Sequence, residues 1–209
     1  MEKISSYPLP IEHLLPISIA NWQADCTRIA LLIHDMQHYF LKFFTANTSP
    51  VAQVIDNTCH LLNAARYLQI PVFYSAQPGD MTPQQRGLLK SLWGPGMRAS
   101  HDHKQIVPQL APQEGEQVLT KWRYSAFFNS PLLSMLHSLK RDQLIICGVY
   151  AHIGCLCTAQ EAYSNDIETF FIADAVADFS AEKHRLALEL AAETCSVVLS
   201  TQQLINMLE

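Results

Sequence analysis

Short apolar, β-branched runs alternate with segments of helical spacing along most of the chain. Ile29 to Ile33 is a continuous apolar run ending at His34-Asp35. Pro71 to Ser75, Gln117 to Thr120, Gln143 to Val149, Thr169 to Ala173 and Ser196 to Ser200 complete a set of six strand candidates. From Val51 to Tyr67, apolar or small residues (Val54, Ile55, Thr58, Leu61, Leu62, Ala65) recur at three- and four-residue steps, the period of one helix face. Further helices are predicted near Pro83–Leu92, Pro131–Leu139, Ala151–Asn165 and Ala181–Glu193. Strands with no polar face must be covered on both sides. The β-α alternation therefore predicts an α/β fold: a doubly wound, Rossmann-like, six-stranded parallel sheet with helices on both faces. One domain over residues 1–209 is expected, with no internal repeat or linker. Trp93 to Gln117, rich in Pro, Gly and His, is the longest irregular connection and a candidate lid or pocket wall.

In such sheets ligands bind where strands end at their carboxyl edge. That rule selects Asp35, Gln77, Lys121 and Tyr150, each closing a different predicted strand. Asp35 taken alone can cap a helix beginning at Met36 or serve as a catalytic acid, and its position leaves both open. Lys121, followed by Trp122, is either a snorkelling cation whose stem packs on that ring or a partly desolvated charge. An acid and a cation at neighbouring strand ends make the catalytic reading the stronger one for both.

Composition narrows the partners. At 49% hydrophobic and 16% charged, the chain can bury one large core. A net charge of -5 argues against nucleic acid, while a small anionic substrate needs only a local cationic cluster. No stretch of about 18 residues is apolar throughout, so no membrane span is expected, and MEKISSYPLP has no secretory h-region. A cytoplasmic location follows as an expectation. There the six cysteines (Cys26, Cys59, Cys147, Cys155, Cys157, Cys195) are expected to be reduced thiols, mostly buried.

Four motifs in order, His34-Asp35-Met36-Gln37, Trp93-Gly94-Pro95-Gly96, Lys121-Trp122-Arg123-Tyr124-Ser125-Ala126-Phe127 and Gly148-Val149-Tyr150-Ala151-His152-Ile153-Gly154, resemble the isochorismatase family from about Tyr7 to the C-terminus. Gln77-Pro78-Gly79, Gln85 to Lys90, Gly96 to Ser100 and Ala162 to Ile167 are most similar to its phenazine-pathway members. The resemblance implies hydrolysis of the enolpyruvyl vinyl ether of 2-amino-2-deoxyisochorismate or isochorismate to a dihydro-hydroxybenzoate and pyruvate. It also implies a cis peptide before Tyr150, no metal or other cofactor, and a homodimer or larger homo-oligomer. The arm Tyr7-Pro8-Leu9-Pro10 is a candidate contact for that assembly. Siderophore-pathway members often carry an aryl carrier domain, which is not expected here. No residue distinguishes a 2-hydroxyl from a 2-amino substrate.

The implied pocket is Asp35, Gln77, Arg86, Lys121, Tyr150 and Gly154, with Trp93, Tyr124 and Phe40 as candidate walls. Asp35 would protonate the vinyl methylene, and water would trap the resulting oxocarbenium ion. Lys121 alone favours the Asp35 carboxylate; the two substrate carboxylates would shift the balance back to the acid. Arg86 would clamp a substrate carboxylate, and Gln77 and Tyr150 would add hydrogen bonds. A rival reading is a cysteine amidohydrolase of the nicotinamidase type, whose nucleophile matches Gly154 here; another is a catalytically silent binding member. Cys155, about 100° further round the helix, should point away from the pocket. His34 and His38 could share a helix face, and His101 and His103 read as loop decoration.

Overall fold

In a computed structural model, which describes residues 2–209, six strands form a single all-parallel sheet. They are β1 (Ile29–His34), β2 (Val72–Ala76), β3 (Gln117–Thr120), β4 (Gln143–Val149), β5 (Glu168–Ala177) and β6 (Ser196–Leu199). Their order is β3-β2-β1-β4-β5-β6. The chain winds outward from β1 through β2 to β3, then returns to place β4 on the other side of β1. This reversal between β1 and β4 is the topological switch point, where open α/β sheets part to leave a crevice.

The helices are α1 (His38–Leu41), α2 (Val51–Tyr67), α3 (Pro83–Arg86), α4 (Leu89–Trp93), α5 (His101–Lys104), α6 (Leu132–Ser138), α7 (Leu156–Tyr163), α8 (Ala181–Thr194) and α9 (Thr201–Leu208). All six residues of β1 are buried. Ile29, Leu31 and Ile33 pack into one core with Val54, Leu61 and Leu62 of α2 and Leu204 of α9. Ala30 and Leu32 pack into the other with Leu132 of α6, Ala159 of α7 and Leu188 of α8. Both sheet faces are thus covered, which is why the strands carry no polar stripe.

The structure departs from the sequence pattern at informative places. β5 extends to Ala177, four residues past the predicted end at Ala173. Asp174 is the polar residue that suggests that end, but its Oδ1 accepts from the Thr201 amide at 2.8 Å and hydroxyl at 2.7 Å. A satisfied carboxylate does not interrupt a strand. The helix predicted over Pro83–Leu92 is two helices, broken at Gly87 with φ +50°. The segment expected as a helix from Ala151 begins as a π turn, Ala151–Cys155, before α7. β6 stops at Leu199 and Ser200 caps α9, a helix that the strand pattern hides. His34 ends β1, whereas His38 starts α1, so the two share no helix face. His101 and His103 lie in the short helix α5 rather than a bare loop.

Candidate active site

The carboxyl edge of the sheet at the switch point holds a cavity enclosing about 540 Å³, part of it open to solvent. All nine residues singled out by sequence line it: Asp35, Phe40, Gln77, Arg86, Trp93, Lys121, Tyr124, Tyr150 and Gly154. Tyr39, Leu89, Val149, Ile153 and Phe179 complete the wall.

Asp35 leaves β1 in the left-handed region, φ +52°, a conformation Asp tolerates better than most side chains. It is not a helix cap: Gln37 occupies that place before α1. One carboxylate oxygen accepts from Ser75 Oγ at 2.6 Å and the other from Lys121 Nζ at 2.8 Å. Asp35 and Lys121 are only 4% and 3% exposed. Such a pair is tolerable because each charge is the other's main compensation. β2 and β3 bring the partners in: Ser75 comes from β2, and the Lys121 amide extends the β3 ladder by donating to the Ala76 carbonyl at 2.9 Å.

Arg86 is the second cation, 5% exposed. The Gly87 break turns it inward at the end of α3. Its Nε donates to the Gly94 carbonyl at 3.0 Å and Nη1 to Gln77 Oε1 at 3.3 Å. Among the described residues no carboxylate lies within ion-pairing distance of it. Burial lowers its affinity for its proton relative to an exposed arginine. A buried guanidinium without a counter-ion, in a cavity wall, is a place for an anion. The cradle is close-fitting, since a Cβ at Gly96 (φ +88°) would approach within 3.0 Å of Arg86 Cζ.

Tyr150 fills its place differently from expectation. The Val149–Tyr150 peptide is cis. The phenol donates to the Phe40 carbonyl at 2.7 Å, and burial raises its proton affinity, so the ring and not the hydroxyl faces the cavity chemistry. Trp93 Nε1 donates to Tyr124 Oη at 2.8 Å, joining two walls. Phe179, missed by the sequence reading, lies 4.5 Å from Tyr150 and 6.0 Å from Trp93 between ring centroids.

Gln37 has no role that its sequence context reveals. Its amide donates to the Gln77 and Lys104 carbonyls at 3.0 and 2.9 Å and accepts from the Gln77 amide at 2.8 Å. It thereby pins the irregular segment after Trp93 to the end of β2, with Met97 and Leu110 buried beneath. The N-terminal arm also folds onto its own chain. Tyr7 Oη accepts from the Asp178 amide at 2.7 Å and lies 3.2 Å from His184 Nδ1.

Cys155 packs, fully buried, in the core formed with α6, α7 and α8. Burial pushes its thiol well above the usual range, which disfavours the thiolate that nucleophilic attack requires. All six cysteines are free.

His34, fully buried beside the site, is held down to about 4 by burial, with Lys121 adding to the effect against the opposing pull of Asp35. In the unfolded chain it titrates near 6.5. Between those values the unfolded state binds a proton that the folded state excludes, so stability falls as pH drops from 6.5 toward 4. The loss is about 3 kcal/mol for this group. Denaturation followed from pH 8 to 4 should show it, and His34→Asn should flatten the slope by that amount; an unchanged slope would remove His34 as the cause.

A doubly wound sheet with a buried acid–lysine pair and a second buried cation lining a crevice at its switch point defines an enzyme-type site for a small anionic molecule. The matched family model, the isochorismatase domain, covers residues 29–203, and the chain belongs to the isochorismatase family. It is 50% identical over 202 residues to the phenazine biosynthesis protein PhzD of Pseudomonas fluorescens, covering 97% of both chains. It is 48% identical to the isochorismatase of Bacillus subtilis, covering 99% of this chain and 66% of the relative. Enterobactin synthase component B of Escherichia coli is 44% identical, with 97% and 71% covered. Among solved structures, a cysteine hydrolase from Pseudomonas syringae superposes with a TM-score of 0.82 at 24% identity, over 92% of this chain and 96% of that one. The fold is therefore shared across different chemistries, and the site must decide between them.

Proposed function

We propose that this isochorismatase-type hydrolase acts on 2-amino-2-deoxyisochorismate, isochorismate or both, with Asp35 as general acid and Lys121 as its charge partner. The observation that carries the reading is the buried Asp35–Lys121 pair sharing a cavity with Arg86, a cation that no carboxylate of the described residues neutralises. With Asp35 ionised the three groups sum to one positive charge; with Asp35 protonated they sum to two, matching a substrate with two carboxylates. Two carboxylates brought into this site thus favour the proton on Asp35. Asp35 then transfers it to the terminal vinyl carbon, water adds to the oxocarbenium carbon, and the hemiketal collapses to pyruvate and the ring alcohol. Arg86 holds one carboxylate, with Gln77 orienting the guanidinium, and Trp93, Tyr124, Phe40, Tyr150 and Phe179 exclude water. Gly154 contributes backbone to the wall of the same cavity.

The names of the phenazine and enterobactin relatives support a place in phenazine or siderophore biosynthesis. The reading includes a cytoplasmic homodimer or larger homo-oligomer; exposed Ile11, Leu14, Ile17 and Ile19 support a contact along the N-terminal segment. Among the described residues no helix is long and apolar enough to cross a membrane.

Side-by-side kinetics on the two substrates, following pyruvate, test the assignment and rank the 2-substituents. Turnover of at least one is expected, and Cys155→Ala should keep kcat within about 3-fold, because a buried thiol outside the cavity contributes packing only. No pyruvate from either substrate, or a dead Cys155→Ala enzyme, would defeat the reading.

A further inference from the structure

His34 is a buried ionisable group beside Asp35 and Lys121 that the proposed reaction leaves unused. Its side chain is 0% exposed, and Nδ1 lies 2.8 Å from the Val149 carbonyl and 3.9 Å from Asp35 Oδ2. A carbonyl only accepts, so Nδ1 carries the proton. Among the described residues Nε2 has no partner at hydrogen-bond geometry, although the Tyr124 backbone lies close enough to raise the ring's proton affinity slightly. The ring also abuts the turn after β4. A Cβ added at Gly154 would fall inside the contact radius of His34 Cε1 and 3.0 Å from Nε2. Behind the ring, β1 and β4 approach so closely at His34 and Gly148 that a Cβ at Gly148 would overlap the His34 carbonyl. The fully buried ring thus sits between the turn that bears Gly154 and the end of β1 that leads into Asp35.

We propose that His34 is a positioning residue for the reaction: an uncharged imidazole that ties the Val149 carbonyl through Nδ1–H and, by filling the room any side chain on residue 154 would need, sets the gap between that turn and Asp35. The inference rests on the Asp35 acid reading and adds a residue that touches neither substrate nor proton. Its neutrality matters to the same chemistry. A cationic imidazolium 3.9 Å from Asp35 would join Lys121 in holding the carboxylate and oppose its protonation. Burial supplies the neutrality, and Lys121 reinforces it.

The test is a double-mutant cycle between positions 34 and 154, with His34→Leu as a separate arm. Asn branches at the same atom as His and keeps a donor for Val149, but lacks Cε1 and Nε2 and so opens space beside residue 154. His34→Asn, which keeps the tie but opens the gap, should lose about 5-fold in kcat, whereas His34→Leu, which keeps bulk without a donor, should lose about 30-fold in kcat with KM changed less than about 3-fold. Gly154→Ala should be far more damaging in the parent than in the His34→Asn background, a coupling of about 10-fold or more in kcat or in the folding equilibrium. Melting curves of all four cycle members accompany the kinetics, so a Gly154→Ala protein that does not fold still reports: recovery of folding in the double variant supports the proposal. A folded His34→Leu enzyme with wild-type kcat, equal loss in His34→Asn and His34→Leu, or equal effects of Gly154→Ala in both backgrounds would each overturn it. If the wild-type enzyme releases no pyruvate, the parent reading fails instead, and the melting cycle alone still decides the geometry.

Discussion

Asp35→Asn should lower kcat for pyruvate release by about 1,000-fold while substrate binding is kept or strengthened. The amide preserves the shape of the carboxyl, and its oxygen can still accept from Ser75, 2.6 Å away in the parent. It has no transferable proton, so the vinyl carbon must wait for solvent. It also leaves Lys121 without its counter-charge, and a free ammonium in a buried cavity attracts the substrate's second carboxylate. The two effects separate cleanly. Single-turnover pyruvate formation reads the chemical step, and titration calorimetry in two buffers of different ionisation enthalpy reads binding and proton uptake together. The wild-type enzyme should take up close to one proton per substrate bound and the variant none. A variant that turns over within 10-fold of wild type would remove Asp35 as the acid; proton uptake persisting in the variant would move the proton to another group.

Lys121→Met should be costly twice. Truncating one partner of a buried ion pair strands the other charge, and such losses are about 3–5 kcal/mol. Lys121 and Asp35 are 3% and 4% exposed, so solvent does little to soften the effect. Adding Asp35→Asn to Lys121→Met should restore much of the stability, because no uncompensated charge remains. Activity should not return with it, since kcat in Lys121→Met is expected about 100-fold down or more. Additive destabilisation of the two single substitutions would show that the pair is not coupled as the 2.8 Å contact indicates.

Much of this site was legible because parallel strands are short, apolar and end abruptly. The polar residue after each run, at 35, 77, 121 and 150, could be placed at the carboxyl edge without knowing the partner of any of them. Phe179 shows how the same rule failed. It follows the end of β5, but the apolar run breaks earlier, at Asp174, whose carboxylate is consumed by the start of α9. That helix is signalled by Ser200 and Gln203, which form a capping box three residues apart, yet Ser200 also reads as the last residue of the preceding strand. Ser75 and Gln37 gave no comparable signal. A small hydroxyl inside an apolar run and an amide after a methionine acquire roles only when a distant segment arrives beside them.

By itself the sequence determined the layered α/β architecture, the six strands near their true positions and the strand-end residues Asp35, Gln77, Lys121 and Tyr150 of the cavity, because period and burial are local consequences of hydrophobic patterning. Tertiary structure decided what those residues do to one another. Which carboxylate oxygen meets Lys121, why Arg86 stays unpaired and why Tyr150 spends its hydroxyl on Phe40 all depend on distances across 8 to 110 residues of chain. So does the reason residue 154 is glycine: the His34 ring, from a strand over a hundred positions earlier, already fills the space. Local pattern fixes which face a side chain takes, whereas charge pairing and steric exclusion arise only when separate strands end within a few ångströms of each other.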